Sequence, residues 1–257
     1  INSPTVNFNN AAIGSGNIVT ITGDLRLNGN LSSSGGSGTF NGGTMTISGN
    51  LSANSAINGT TLIILNGTGT WSGTQQLKNN LTIKSTAIID IVGNVQFNTG
   101  TFIVEAGAQV NASNSSLTVA ATTTTTFDIS NIKLNNFYLG GASTVNTLQL
   151  NSPLYITGTA YLGASSQPQT INGSPIYIES GTLSSQAGNG GIISGTSQII
   201  MTGDKATYLD SALPLFNWQG TWRIPITINV KGTILMYGRL VISTGGSFNI
   251  QNGTVDH

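Results

Sequence analysis

Thirty consecutive residues from the middle of the chain are written again at its end, and no gap is needed to lay one stretch on the other. Leu81–Val110, LTIKSTAIIDIVGNVQFNTGTFIVEAGAQV, superimposes on Ile226–Val255, ITINVKGTILMYGRLVISTGGSFNIQNGTV. Thr82-Ile83 falls on Thr227-Ile228, Gly93 on Gly238, Thr99-Gly100 on Thr244-Gly245, and Val110 on Val255. Each copy follows a W-x-G-T tetrad, one beginning at Trp71 and the other at Trp218. The shared positions are apolar residues, Gly and Thr, whereas Asp90 and Glu105 of the first copy are Leu235 and Ile250 in the second. What repeats is a way of folding, not a set of carboxylates.

The likeness continues outward. Ile57–Gly67 resembles Ile193–Gly203, Phe40–Ile47 resembles Ile171–Ile178, and Ile21–Gly29 lies over Leu150–Gly158. The offset drifts as the copies are followed, which implies insertions in the second, chiefly over 186–191 and 205–213. The reading is a tandem duplication: a strand-like arm at 1–10, a first β unit at 11–120, a Thr-rich seam at 121–133 and a second β unit at 134–257.

The residue types decide the class. Charged residues make up 6% of the chain, against about 25% in ordinary soluble domains. Polarity is carried by 29 Asn, 34 Gly and 63 Ser plus Thr. These residues suit turns and the exposed faces of strands, and the strong helix formers are scarce. The expectation is all-β. Eight basic residues without clusters do not supply the phosphate neutralisation on which nucleic-acid binding draws. No apolar run approaches the ~20 residues of a membrane helix, and the lack of Cys removes disulfides and thiolate sites. No nucleic acid and no membrane insertion are expected, and the composition points to an extracellular or cell-surface location.

Short apolar runs such as Ile18–Thr22, Leu25–Leu27, Thr44–Ile47 and Leu62–Leu65 are punctuated by Gly and Asn. Asn-Gly recurs, as at Asn28, Asn41, Asn58, Asn66 and Asn172. It serves a tight hairpin and a solenoid corner equally, because both need residues that tolerate positive φ. Paired asparagines lead into alternating strands at Asn9-Asn10, Asn79-Asn80 and Asn135-Asn136, and Gly-x-apolar marks follow at Gly23, Gly49, Gly93 and Gly238. The marks recur about every 20 residues, the length of one solenoid coil. In these runs of N-N-L-T-I, G-x-L-x-I and G-G-T the chain resembles secreted bacterial and archaeal strand-repeat cell-surface proteins. The resemblance spans nearly the whole chain. It implies a β-solenoid and an adhesin-like role, and it carries no functional residue across.

Two architectures fit. One is a parallel β-solenoid, or β-helix, with an apolar stripe inward and Thr, Ser and Asn outward. T-x-T pairs at Thr20/Thr22, Thr44/Thr46 and Thr68/Thr70, spaced by 24, support it. The alternative is two tandem antiparallel β-sandwich domains, in which Asn66-Gly67 would close a hairpin. The solenoid is the expected fold.

Chemistry is sparse. The acids offer no close catalytic pairing, and Asp204 with Asp210 reads as two solvated acids in a polar insertion. The only His is the final residue, His257, so a Ser-His-Asp triad has no base in the body of the chain. The Gly35–Gly38 stretch lacks the Lys of a phosphate loop. No catalytic residues, metal or cofactor are expected, and the chain reads as non-enzymatic. Trp71, Trp218 and Trp222 are candidate carbohydrate-stacking residues, set against a core role that large aromatics usually fill. T-x-T ladders can order ice, but Leu148, Tyr155 and Tyr177 interrupt them in the second copy. Nine N-x-S/T sequons are about what this composition produces unaided. Finally, Val6 and Phe8 in the arm are candidate assembly residues, able to complete a sheet in a neighbouring copy by strand addition or to close their own domain. The functional expectation is a structural or adhesive protein, self-associating as a subunit of a head-to-tail surface filament. The alternative is a module that binds surface polysaccharide.

Overall fold

The computed structural model describes residues 5–120, 123–129, 132–140, 146–162, 168–185, 192–210, 221–237 and 240–256. Every regular element among them is a strand, and every strand pairing with a defined register is parallel. The chain is an all-β parallel solenoid. No helix among the described residues is long and apolar enough to cross a membrane. The chain divides into two compact units, Ile1–Leu117 with Asp128–Ile132, and Thr118–Phe127 with Lys133–His257.

The first unit has three faces per rung. The first face stacks Thr5–Phe8, Asp24–Leu27, Thr44–Ile47, Leu62–Leu65, Leu81–Ile83 and Gly100–Val104. The second stacks Ala11–Ile13, Leu31–Ser33, Leu51–Ala53, Thr68–Ser72, Ile88–Val92 and the start of Gln109–Val119. The third stacks Ile18–Thr20, Gly38–Asn41, Ile57–Gly59, Gln76–Leu77 and Asn94–Phe97. Successive side chains of a strand point to opposite sides, so one set of alternate positions forms continuous inward columns. On the first face these are Val6, Leu25, Met45, Ile63, Leu81 and Phe102, then Phe8, Leu27, Ile47, Leu65, Ile83 and Val104. From Leu25 and Leu27 onward all are buried.

The second unit repeats the plan with longer rungs. Its first face runs from Thr124–Asp128 through Asn146–Leu150, Gln169–Gly173, Ile192–Ser194 and Thr221–Trp222 to Val241–Ile242. A second face carries the inward column Leu134, Ile156, Ile178, Met201, Ile228 and Ile250. A third carries Phe137, Ala160, Leu183, Tyr208 and Met236. Two outward columns hold stacked tyrosines: Tyr138 on Tyr161 with centroids 4.1 Å apart, and Tyr155 on Tyr177 at 5.0 Å.

These registers decide against the antiparallel sandwich. Asn66-Gly67 does not close a hairpin: Leu62–Leu65 pairs with Thr44–Ile47 and Leu81–Ile83, while Thr68–Ser72 begins the next face. The duplicated stretch is a little more than one rung, since Leu81 stacks on Phe102 and Ile226 on Phe248. The T-x-T pairs lie on three different faces, Thr20 on the third, Thr44 and Thr46 on the first, and Thr68 and Thr70 on the second. Their spacing of 24 exceeds the rung, where Met45 to Ile63 is 18 residues and Leu81 to Phe102 is 21. They walk around the solenoid and build no flat ladder.

Candidate functional site

The outward chemistry of the first unit is concentrated at the corner between its first and second faces. There the Asn10 side-chain oxygen accepts the backbone N–H of Asn30 at 2.7 Å. Asn30 does the same for Asn50 at 2.8 Å, and Asn50 for Thr70 at 2.9 Å. The Thr70 hydroxyl also donates to the Asn50 oxygen, at 3.2 Å. Each bond ties one rung to the next and supplies a partner to an amide N–H that the corner takes out of the strand ladder.

Packing forces the sequence around these asparagines. A side chain on Gly29 would put its Cβ 2.6 Å from the Asn9 carbonyl oxygen, and one on Gly49 would sit 2.7 Å from that of Gly29. The corner therefore reads Gly-Asn or Gly-Thr, followed by an inward Leu or Trp. Elsewhere the same bond recurs from Asn80 to Thr101 N–H, from Asn136 to Thr159 N–H and from Asn172 to Thr196 N–H. Asn10, Asn80 and Asn136 are the second members of the paired asparagines. The motif visible in the sequence is thus an axial clamp between rungs, a role that the run of letters did not itself disclose.

Beside the clamp runs a trough of about 460 Å³ lined by Asn10, Ala12, Asn30, Ser32, Asn50 and Ser52 along with Ala11 and Leu31. Its floor is the outward column Ala12, Ser32, Ser52. Ser72 continues that column, and Val92, half exposed, follows as its first bulky member. The three asparagines are exposed. Their oxygens are held by the clamp, which orients the remaining amide N–H groups.

The expected carbohydrate platform is corrected by burial. Trp71 is 1% exposed and Trp222 0%, so neither indole offers a face to a sugar. Trp71 stands in the inward column Leu31, Leu51, Trp71, Ile91 and meets Phe102 and Phe97 edge-on, at 5.4 and 6.5 Å. It fills the interior from one face to the other two. Trp222 stacks between Ile193 and Ile242 with its ring nitrogen unpartnered. Trp218 lies outside the described residues, as does His257.

Val6 and Phe8 are not in a free arm. Thr5–Phe8 pairs along its length with Asp24–Leu27 of its own chain. Both residues occupy inward columns, and Phe8 is 48% exposed. Strand addition is left only the opposite edge of this strand.

Two charged pairs tie one rung to another. Lys84 Nζ meets Glu105 Oε1 at 2.5 Å, and Glu105 Oε2 accepts the Ser85 N–H at 3.1 Å. The lysine bond first, and then the backbone bond, hold the Glu105 carboxyl below the usual carboxylate range. Lys133 reaches past a rung to Glu179 at 2.6 Å. Burial, followed by a hydrogen bond to Tyr161, raises the Tyr138 phenol. Among the described residues no three His, Cys, Asp or Glu side chains converge on a point that could hold a metal ion. Comparison with known proteins finds no matching family model, no matching curated protein and no matching solved structure.

Proposed function

We propose that the chain is a non-enzymatic structural or adhesive protein of the cell exterior, one that self-associates head to tail to extend a surface. The observation that carries this reading is the corner clamp. Asn10, Asn30 and Asn50 each receive the next rung through the same bond, so the side-chain oxygens at this corner are committed to stacking. A rung made this way accepts another rung, from the same chain or from a second copy, with no new kind of contact. The half-exposed Phe8, in register with the buried Leu27, supports strand or end-to-end contact as the mode of association. The charge-poor surface rich in Asn, Ser and Thr supports an exterior location.

Electron microscopy of the purified chain at rising concentration tests the reading. Ordered polymers are expected, and Phe8→Asp should abolish them while leaving the parallel fold intact. A chain that stays monomeric at high concentration and coats no surface would overturn the proposal.

A further inference from the structure

The geometry points to the trough beside Asn10, Asn30 and Asn50 as a binding site for a linear, neutral polysaccharide lying along the stacking direction, about one sugar ring per rung. This stands apart from the assembly reading, since it needs no second copy. None of the residues lining the trough is ionisable, which disfavours a charged polymer. Its volume, about 460 Å³, lies within the roughly 300–1,000 Å³ of small-molecule sites. The floor of Ala12, Ser32 and Ser52 is low enough for a ring to lie flat. Along one wall the asparagine amides recur once per rung, about 4.8 Å apart. With each Oδ1 engaged by the following N–H, the Nδ2 groups are fixed donors that need no reordering to bind.

Spacing selects the ligand. Successive rings of an extended, equatorially linked glycan are flipped, so one edge presents the 2- and 3-hydroxyls of one ring and the 6-hydroxyl of the next. An acceptor therefore recurs once per ring, at nearly the rung distance. Carbonyls on one side of an extended peptide recur every two residues, about 6.8 Å apart, and fall out of step with the donors after one rung. The exposed Val92 in the floor column ends the flat tract and would limit the glycan to a few rings.

The test uses the full chain made in a host without N-glycosylation, so that the Asn30 and Asn50 amides remain free. Cellohexaose is titrated while the side-chain amide resonances of Asn10, Asn30 and Asn50 are followed by NMR, with maltohexaose and a neutral Ser/Thr hexapeptide as comparisons. Cellohexaose should shift these three amides together, and the curved maltohexaose should shift them less. Filling the floor with Ser32→Leu and Ser52→Leu should weaken binding roughly tenfold with an unchanged melting temperature. If that pair disturbs folding, Ala12→Leu, at an exposed position, serves in its place. Unshifted amides, tighter binding of the hexapeptide, or affinity indifferent to a filled floor would each overturn the site.

Discussion

In the first unit the chain passes from its third face to its first in two or three residues; in the second unit the same passage takes at least six at most rungs. Between Asn41 and Thr44 there are only Gly42 and Gly43, and between Phe97 and Gly100 only Asn98 and Thr99. The second unit spends six residues between Leu139 and Asn146, six between Leu162 and Gln169, and ten between Asp210 and Thr221. That one corner accounts for most of the difference in rung length, 18 to 21 residues against 23 between Leu148 and Ile171. It also explains the drifting offset between the copies: residues were added at rung after rung, not in two isolated places.

The short corner has a physical cost of its own. At these corners the backbone carbonyls of Phe40, Gly42 and Thr61 face buried side chains. The first unit answers with buried polar side chains, Thr61, Asn79 and Asn98. The Thr61 hydroxyl donates to the Gly42 carbonyl at 2.6 Å, and the Asn79 amide donates to the Thr61 carbonyl at 3.2 Å. A tight corner is thereby locked in length and composition.

The comparison can be broken at several points. The largest effect should come from Trp71→Ala, which empties the interior where Trp71 meets Phe97 and Phe102; about 3–5 kcal/mol is expected by chemical denaturation. A Trp71 that could be removed at no cost to stability would undo the core assignment. Next, Asn79→Ala strips the donor from the Thr61 carbonyl inside the tight corner and should cost about 1–3 kcal/mol. Inserting two glycines between Gly42 and Gly43 should be comparably damaging. The same insertion between Leu162 and Gln169, six residues apart from strand to strand, should change stability by no more than about 0.6 kcal/mol, the closure entropy of a doubled connection. Equal responses at the two sites would erase the distinction between the corners.

The smallest effect is electrostatic. Because the folded state holds Glu105 below its ordinary range, its pairing stabilises the fold above that range and is lost as pH falls through the lowered value. Glu105→Gln should therefore be less stable than the parent at neutral pH, by under about 1 kcal/mol for a solvent-screened, partly exposed pair. The difference should vanish in acid, which parallel melts across pH would read.

Much of the fold was legible in the letters, though not always for the right reason. Composition and the Gly/Asn punctuation gave the all-β class, and the twenty-residue recurrence matched the rung. The T-x-T spacing of 24 favoured the same fold, yet those threonines never stack. The Gly-x-apolar marks recur irregularly because Gly23, Gly49 and Gly93 precede strands on three different faces. The asparagine pairs were visible as a motif, but their bonds join residues 20 to 23 apart, so the partner is known only once the register is. Trp71 was ambiguous for a similar reason: alternation says which way a side chain points only after the inward set is fixed. The trough lay hidden because it needs Ala12, Ser32 and Ser52 in one column.

Engineered disulfides test the stacking most directly, since the chain has no cysteine of its own. Thr46 and Ile64 are outward neighbours on adjacent rungs of one face, at about the 4.8 Å separation of paired strands, within reach of a disulfide. Thr46 and Thr70, the members of the apparent 24-residue ladder, lie on different faces. The parallel solenoid predicts that Thr46→Cys with Ile64→Cys cross-links readily on mild oxidation and that Thr46→Cys with Thr70→Cys does not. Cross-linking of the second pair in preference to the first would contradict it.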